Sequence, residues 1–273
     1  MISSCRISLL FSALLLLMIS FHPDAMAAEV VTYPAPPGAA ASPDYSVKVN
    51  GQEVFTYQVP VASIAYFSTD GPVEIEITPR VDVKWVDVRP KRLAIVPTLA
   101  NNVIRFTLEQ PANISVELNG RIEQPLFIFA NPLETNRPSP DDPKVHYFEG
   151  GKIHDAGLVE IGSDETVYIE GGAIVRGAFL TKNTKNVAIR GRGMIDGSVI
   201  NDLRAKQVRV SHLLSLQDAV GIDLEGVILV DSYVWNVVPV RSRDIRINNI
   251  KIVSGNASDD GIDIVRSQNV TIE

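Results

Sequence analysis

Four short runs decide how this chain folds: Asn186-Val187-Ala188-Ile189, Gly221-Ile222-Asp223-Leu224, Asp244-Ile245-Arg246-Ile247 and Asn269-Val270-Thr271-Ile272. Each is a β-branched strand signal with a turn-former in front of it, and their starts lie 35, 23 and 25 residues apart. A period of roughly 20 to 50 residues marks a solenoid, in which each repeat buries its apolar face only against its neighbours. Further strands fit inside one period, as Val227-Ile228-Leu229-Val230 and Trp235-Asn236-Val237-Val238. Three strands per turn of about 23 residues predict a parallel β-helix over 142–273. The long first interval holds a polar insertion around Ser198 to Ser211. A leucine-rich repeat lacks its Leu scaffold here, and propeller blades are longer. Gly171-Gly172, Gly191-Arg192-Gly193 and Asp196-Gly197 fall at the expected bends, where positive φ is often required.

Upstream, residues 45–133 read differently. Val73-Glu74-Ile75-Glu76-Ile77, Val103 to Leu108 and Ile114 to Leu118 alternate with period 2 and are separated by Asn50-Gly51, Asp70-Gly71 and Asn119-Gly120. No helical period with caps runs through the segment, so it predicts an antiparallel β-sandwich. The fold class expected is all-β: an N-terminal sandwich followed by a right-handed parallel β-helix, an incomplete solenoid. Pro132, Pro138, Pro140 and Pro143 place a boundary between the two, because proline lacks the ladder donor. Residues 28–44, rich in Pro, Gly, Ala and Ser, are expected to form a flexible linker.

Residues 1–27 read as an export signal, with Arg6, about 13 apolar residues from Leu9 to Phe21, and Ala25-Met26-Ala27 as the cleavage site. The apolar run is short for a membrane span of roughly 20. Cys5 is the only cysteine and lies in this signal, so the exported chain has neither disulfide nor thiolate metal site. A periplasmic or secreted monomer follows, off the membrane once the signal is removed. The 25 Lys and Arg against 32 Asp and Glu give a net charge of −7, and without a cationic cluster nucleic acid is not an expected partner.

Thr166 to Ala173, Ile189-Arg190-Gly191-Arg192-Gly193-Met194-Ile195-Asp196-Gly197-Ser198 and Asp259-Asp260-Gly261-Ile262-Asp263-Ile264 together resemble the polygalacturonase-like glycosidases of glycoside hydrolase family 28. The dextranases and isopullulanases of family 49 are that family's structural relatives. The resemblance implies an exported inverting glycosidase whose partner is a polysaccharide of α-linked uronate or glucan units. Such an enzyme needs a protonated acid on the leaving oxygen and a carboxylate that positions water on the opposite face. The family's Asn-Thr-Asp-Gly-x-Asp motif falls on Ser258-Asp259-Asp260-Gly261-Ile262-Asp263, which puts the water-positioning role on Asp260. Asp263 and Asp259 stand as supporting residues and Ser258 as a substrate contact. Ser258 replaces Asn and Asp259 replaces Thr, so the match is partial. With period 2, Ser258, Asp260 and Ile262 share one face and Asp259, Gly261 and Asp263 the other. The alternative is structural: Asp259 and Asp260 form a solvated turn and Asp263 caps a coil.

The family's Asp pair, His and basic clamp would follow Glu273. The resemblance thus implies a C-terminally truncated chain that by itself hydrolyses little. A non-catalytic carbohydrate-binding β-helix, or a lyase with a Lys or Arg base and calcium, are the other readings. No metal and no cofactor are expected, since His146, His154 and His212 share no ligand spacing and each reads as a loop residue. Ser211, His212 and Asp218 lack the G-x-S-x-G elbow of a hydrolase triad. Trp235 reads as a core or coil-stacking residue.

Overall fold

The structure is a computed structural model that describes residues 28–273. The signal segment 1–27, with Cys5 and His22, lies outside the described residues. From Val145 onward the chain winds into three parallel columns. The first stacks Val145–Phe148, Thr166–Ile169, Lys185–Gly191, Val220–Glu225, Arg243–Asn248 and Gln268–Ile272, all parallel. The second runs through the first half of Ile174–Lys182, then Met194–Asp196, Ile228–Val230 and Lys251–Val253. The third continues from the second half of Ile174–Lys182 through Leu214–Gln217 and Val237–Val240, and reaches Ile262 and Val265 as single bridges.

Period-2 alternation explains how each turn closes. Val187, Ile189, Ile222, Leu224, Ile245 and Ile247 on the first column meet Phe179, Leu214 and Val237 on the third in one buried core. Residues one coil apart stack on one another, Ala188 with Asp223, Asp223 with Arg246 and Arg246 with Thr271. These registers repeat the 35-, 23- and 25-residue spacing of the sequence. The long interval is filled by the short helix Ile200–Ala205 and the loop after it, with only Ile200 of that helix buried.

Residues 45–133 build two sheets over a shared core in which Val47, Ile75, Ile77, Ile104 and Phe106 face Phe67, Val88, Ile114, Val116 and Ile128. Their pairing departs from the all-antiparallel expectation, because Arg121–Asn131 runs parallel to Ala62–Thr69. The expected linker 28–44 also needs correction. Val30–Thr32 is a strand pairing with Thr69 to Phe67, and Ala41 bridges Tyr57. Tyr33 packs at 5.4 Å on Tyr66. Apolar side chains at Val30 and Tyr33 and a free sheet edge outweigh the Pro-Gly composition.

The two parts meet on a second apolar cluster, Tyr57, Ile64, Tyr66 and Phe129 against Met194, Ile228, Val230 and Val253. The seam also buries two cations. Lys251 donates from Nζ to Asn131 Oδ1 and to Gly226 O at 3.2 Å. The Arg192 guanidinium reaches Gly191 O and Pro132 O. Burial, with Arg192 nearby, holds the Lys251 ammonium down at about 7. The unfolded lysine keeps its proton to higher pH, so the folded state is fully penalised below pH 7 and gains stability as pH rises from 7 towards 10.5. Lys251→Met retains the stem packing and leaves Asn131 Oδ1 its bond from Asn249. Unfolding free energy in denaturant is expected to rise by about 2 kcal/mol from pH 7 to pH 9 in the native protein and to stay flatter in the variant. Equal slopes would refute a depressed Lys251.

Candidate functional site

The third column presents the candidate residues. Leu214 pairs with Val237 and Val237 with Ile262, so the residues two positions earlier, His212, Trp235 and Asp260, occupy equivalent places on successive coils. The bonds Leu213 N–H to Trp235 O (3.0 Å) and Asn236 N–H to Asp260 O (2.8 Å) fix that alignment. His212 and Trp235 stack with ring centroids 5.3 Å apart and planes 12° apart. Trp235 keeps 37% of its surface exposed, so of the two readings expected it is the coil-stacking residue, with its ring facing outward, and not a core residue.

Ile262 turns into the core with Leu214 and Val237, which sends Asp263 outward in line with Ser215 and Val238. The expected sharing of a face by Asp260 and Ile262 fails because regular pairing begins only at Ile262, after the bend at Asp260-Gly261. Asp263 Oδ2 is inaccessible and has no hydrogen-bond partner. Burial first, and the Asp260 carboxylate second, push the Asp263 carboxyl above the usual range, with His212 opposing. Burial lowers the His212 imidazole, with Asp263 opposing.

The backbone under Asp260 is held from the coil below. Asn236 is fully buried and donates Nδ2 to Asp259 O at 2.8 Å and to Asp260 O at 3.1 Å. Asp259 turns its carboxylate to Asn256 N–H at 2.7 Å, closing the turn that contains Ser258. Asn256 Nδ2 in turn reaches Ser232 O and Asp231 Oδ1. Burial, with Asp196 and Asp259 nearby, raises the Asp231 carboxyl. The structure therefore groups Asp260 and Asp263 with His212 and Trp235, while Asp259 serves the turn and Ser258 lies exposed within it.

Sequence reasoning left His212 and Trp235 outside the site. The signal was present: 23 residues separate His212 from Trp235 and 25 separate Trp235 from Asp260, the spacings of the last two coils. Among the described residues no group of three or more His, Cys, Asp and Glu is arranged to hold a metal ion. No helix among them is long and apolar enough to cross a membrane.

Dex49A from Penicillium minioluteum superposes with a TM-score of 0.59 at 14% identity, covering 82% of this chain and 65% of that protein. The likeness is one of fold: this chain shares with Dex49A a β-helical architecture over that span. The chain spans about 65% of the length of Dex49A. The family 28 exopolygalacturonase of Yersinia enterocolitica superposes more loosely, with a TM-score of 0.40 at 12% identity, over 89% of this chain and 60% of that one. No family model and no curated protein sequence matches the chain.

Proposed function

We propose that the chain is part of an exported glycoside hydrolase that cleaves a polysaccharide with inversion at the face bearing Asp260 and Asp263. One observation carries the reading: a carboxyl raised by burial and by its neighbour, Asp263, stands beside an exposed carboxylate, Asp260, next to an open aromatic ring. A carboxyl whose surroundings raise its proton affinity, set beside an accessible carboxylate, suits acid–base cleavage of a glycosidic bond. In this assignment Asp260 orients water, Asp263 supports it as the proton-holding neighbour, and Trp235 stacks on a sugar ring. Asp259 and Asp260 put negative charge on this face, which favours a neutral glycan over a polyuronate.

The test uses the protein as its own gene encodes it, incubated with dextran and with polygalacturonate while new reducing ends are counted. Hydrolysis of the neutral polymer is expected. Trp235→Ala should raise KM about fivefold with kcat less affected, because an aromatic stack contributes roughly 1 kcal/mol. No reducing ends from either polymer, together with quenching of tryptophan emission on adding polymer, would replace the hydrolase with a carbohydrate-binding role.

A further inference from the structure

The chain has two tryptophans, and both face solvent. The second, Trp85, lies in the N-terminal two-sheet unit, remote in sequence from the face just described, and keeps 50% of its surface exposed. It is held rigidly. Asn119 Oδ1 accepts from Lys84 N–H at 2.8 Å and Trp85 N–H at 3.2 Å, Asn119 Nδ2 donates to Asp82 O, and Asn119 N–H donates to Trp85 O. Asn102 pins the preceding residues in the same manner, through Val83 N–H and Val81 O. The indole lies across Gly120, where a Cβ would stand 3.7 Å from its Cζ3. The ring at Cζ3 thus lies close to the turn, and half of the residue's surface stays open to solvent.

We infer that Trp85 is a saccharide-binding platform of the N-terminal unit, a second polysaccharide contact separate from the Asp260 face. The exposed ring is carried on a main-chain segment held by six hydrogen bonds with Asn102 and Asn119, so little backbone freedom is lost when a weakly held, flat, hydroxyl-rich ligand binds. The charges on the same two segments cancel, with Asp82 and Glu123 against Lys84 and Arg121. A charge-balanced rim around an aromatic face suits a neutral pyranose chain better than a polyanion. Asn119 also borders a cleft of about 260 Å³ whose lining includes Asp44, Arg121 and Glu123, and these side chains offer bonds to sugar hydroxyls. A saccharide contact there would hold the enzyme on its polymer while the coils act on it.

In Trp235→Phe, Trp85 is the sole tryptophan, so its emission reports this site alone. Titration with neutral hexasaccharides (isomaltohexaose, cellohexaose and xylohexaose) is expected to quench or shift that emission with at least one of them, and tetragalacturonate to leave it unchanged. Retention on the matching insoluble neutral glycan should fall at least fivefold in Trp85→Ala and be partly restored in Trp85→Phe, with the same thermal midpoint in all three proteins. Unchanged emission with all three neutral sugars, or equal retention of Trp85→Ala and native protein, overturns the proposal. Both readouts are of binding, so a failure of hydrolysis at Asp260 leaves this result fully decided.

Discussion

Asp260→Asn is expected to lower polysaccharide cleavage by about 10³-fold, the range for losing a carboxylate that handles the proton of the attacking water. The fold should survive, and the reason lies in which atoms do structural work. Asn236 holds Asp260 by its backbone oxygen, at 2.8 Å and 3.1 Å, while the side chain is exposed. The amide keeps the shape and removes only the charge. Thermal midpoint and the quenching of Trp235 by oligosaccharide should therefore match the native protein, and the whole loss should appear in kcat. More than a tenth of native activity in Asp260→Asn would remove that residue from the chemistry.

Neighbouring substitutions discriminate within the same turn. Asp263→Asn should fall almost as far, because a permanent amide replaces the carboxyl that burial and Asp260 keep towards its protonated form. Asp259→Asn should change activity less than threefold, since the amide oxygen can still accept from Asn256 N–H. A large loss in Asp259→Asn with none in Asp260→Asn would move the water-positioning role by one residue.

The coil architecture was legible because solenoid packing forces side chains into register at a fixed period, and Val187, Ile222, Ile245 and Val270 carry that period on the surface of the sequence. The N-terminal edge was not. Val30–Thr32 is only three residues long, and it is a strand because Ala62–Thr69 offers it an edge, a tertiary cause that local composition does not record. The candidate site was half legible. Asp260 and Asp263 were visible through a motif, yet their facing was misjudged because alternation was carried through the bend at Gly261. His212 and Trp235 contact each other only through the coil spacing, and each taken alone resembles an ordinary loop or core residue.

Gly191→Ala is expected to destabilise the protein by about 4 kcal/mol, the sum of roughly 1–3 kcal/mol of backbone strain and a similar cost of overpacking. Gly191 adopts φ +131°, and an added Cβ would stand 2.0 Å from Ile169 O and 2.7 Å from its carbonyl carbon. That oxygen accepts from both Arg192 N–H and Gly193 N–H at 3.0 Å, and Ile169 pairs with Gly191 across the coils. Relief of the collision must therefore separate two turns of the solenoid at the point where the chain bends towards Met194. Gly51 supplies the control: its φ is +78°, but nothing lies within 4 Å of an added Cβ. Gly51→Ala should cost about 1 kcal/mol from strain alone. Denaturant titration of both variants measures the difference between them, which is the cost of the collision with Ile169. A Gly191→Ala loss no larger than that of Gly51→Ala would show that the coils separate freely at this bend and would refute their close packing there.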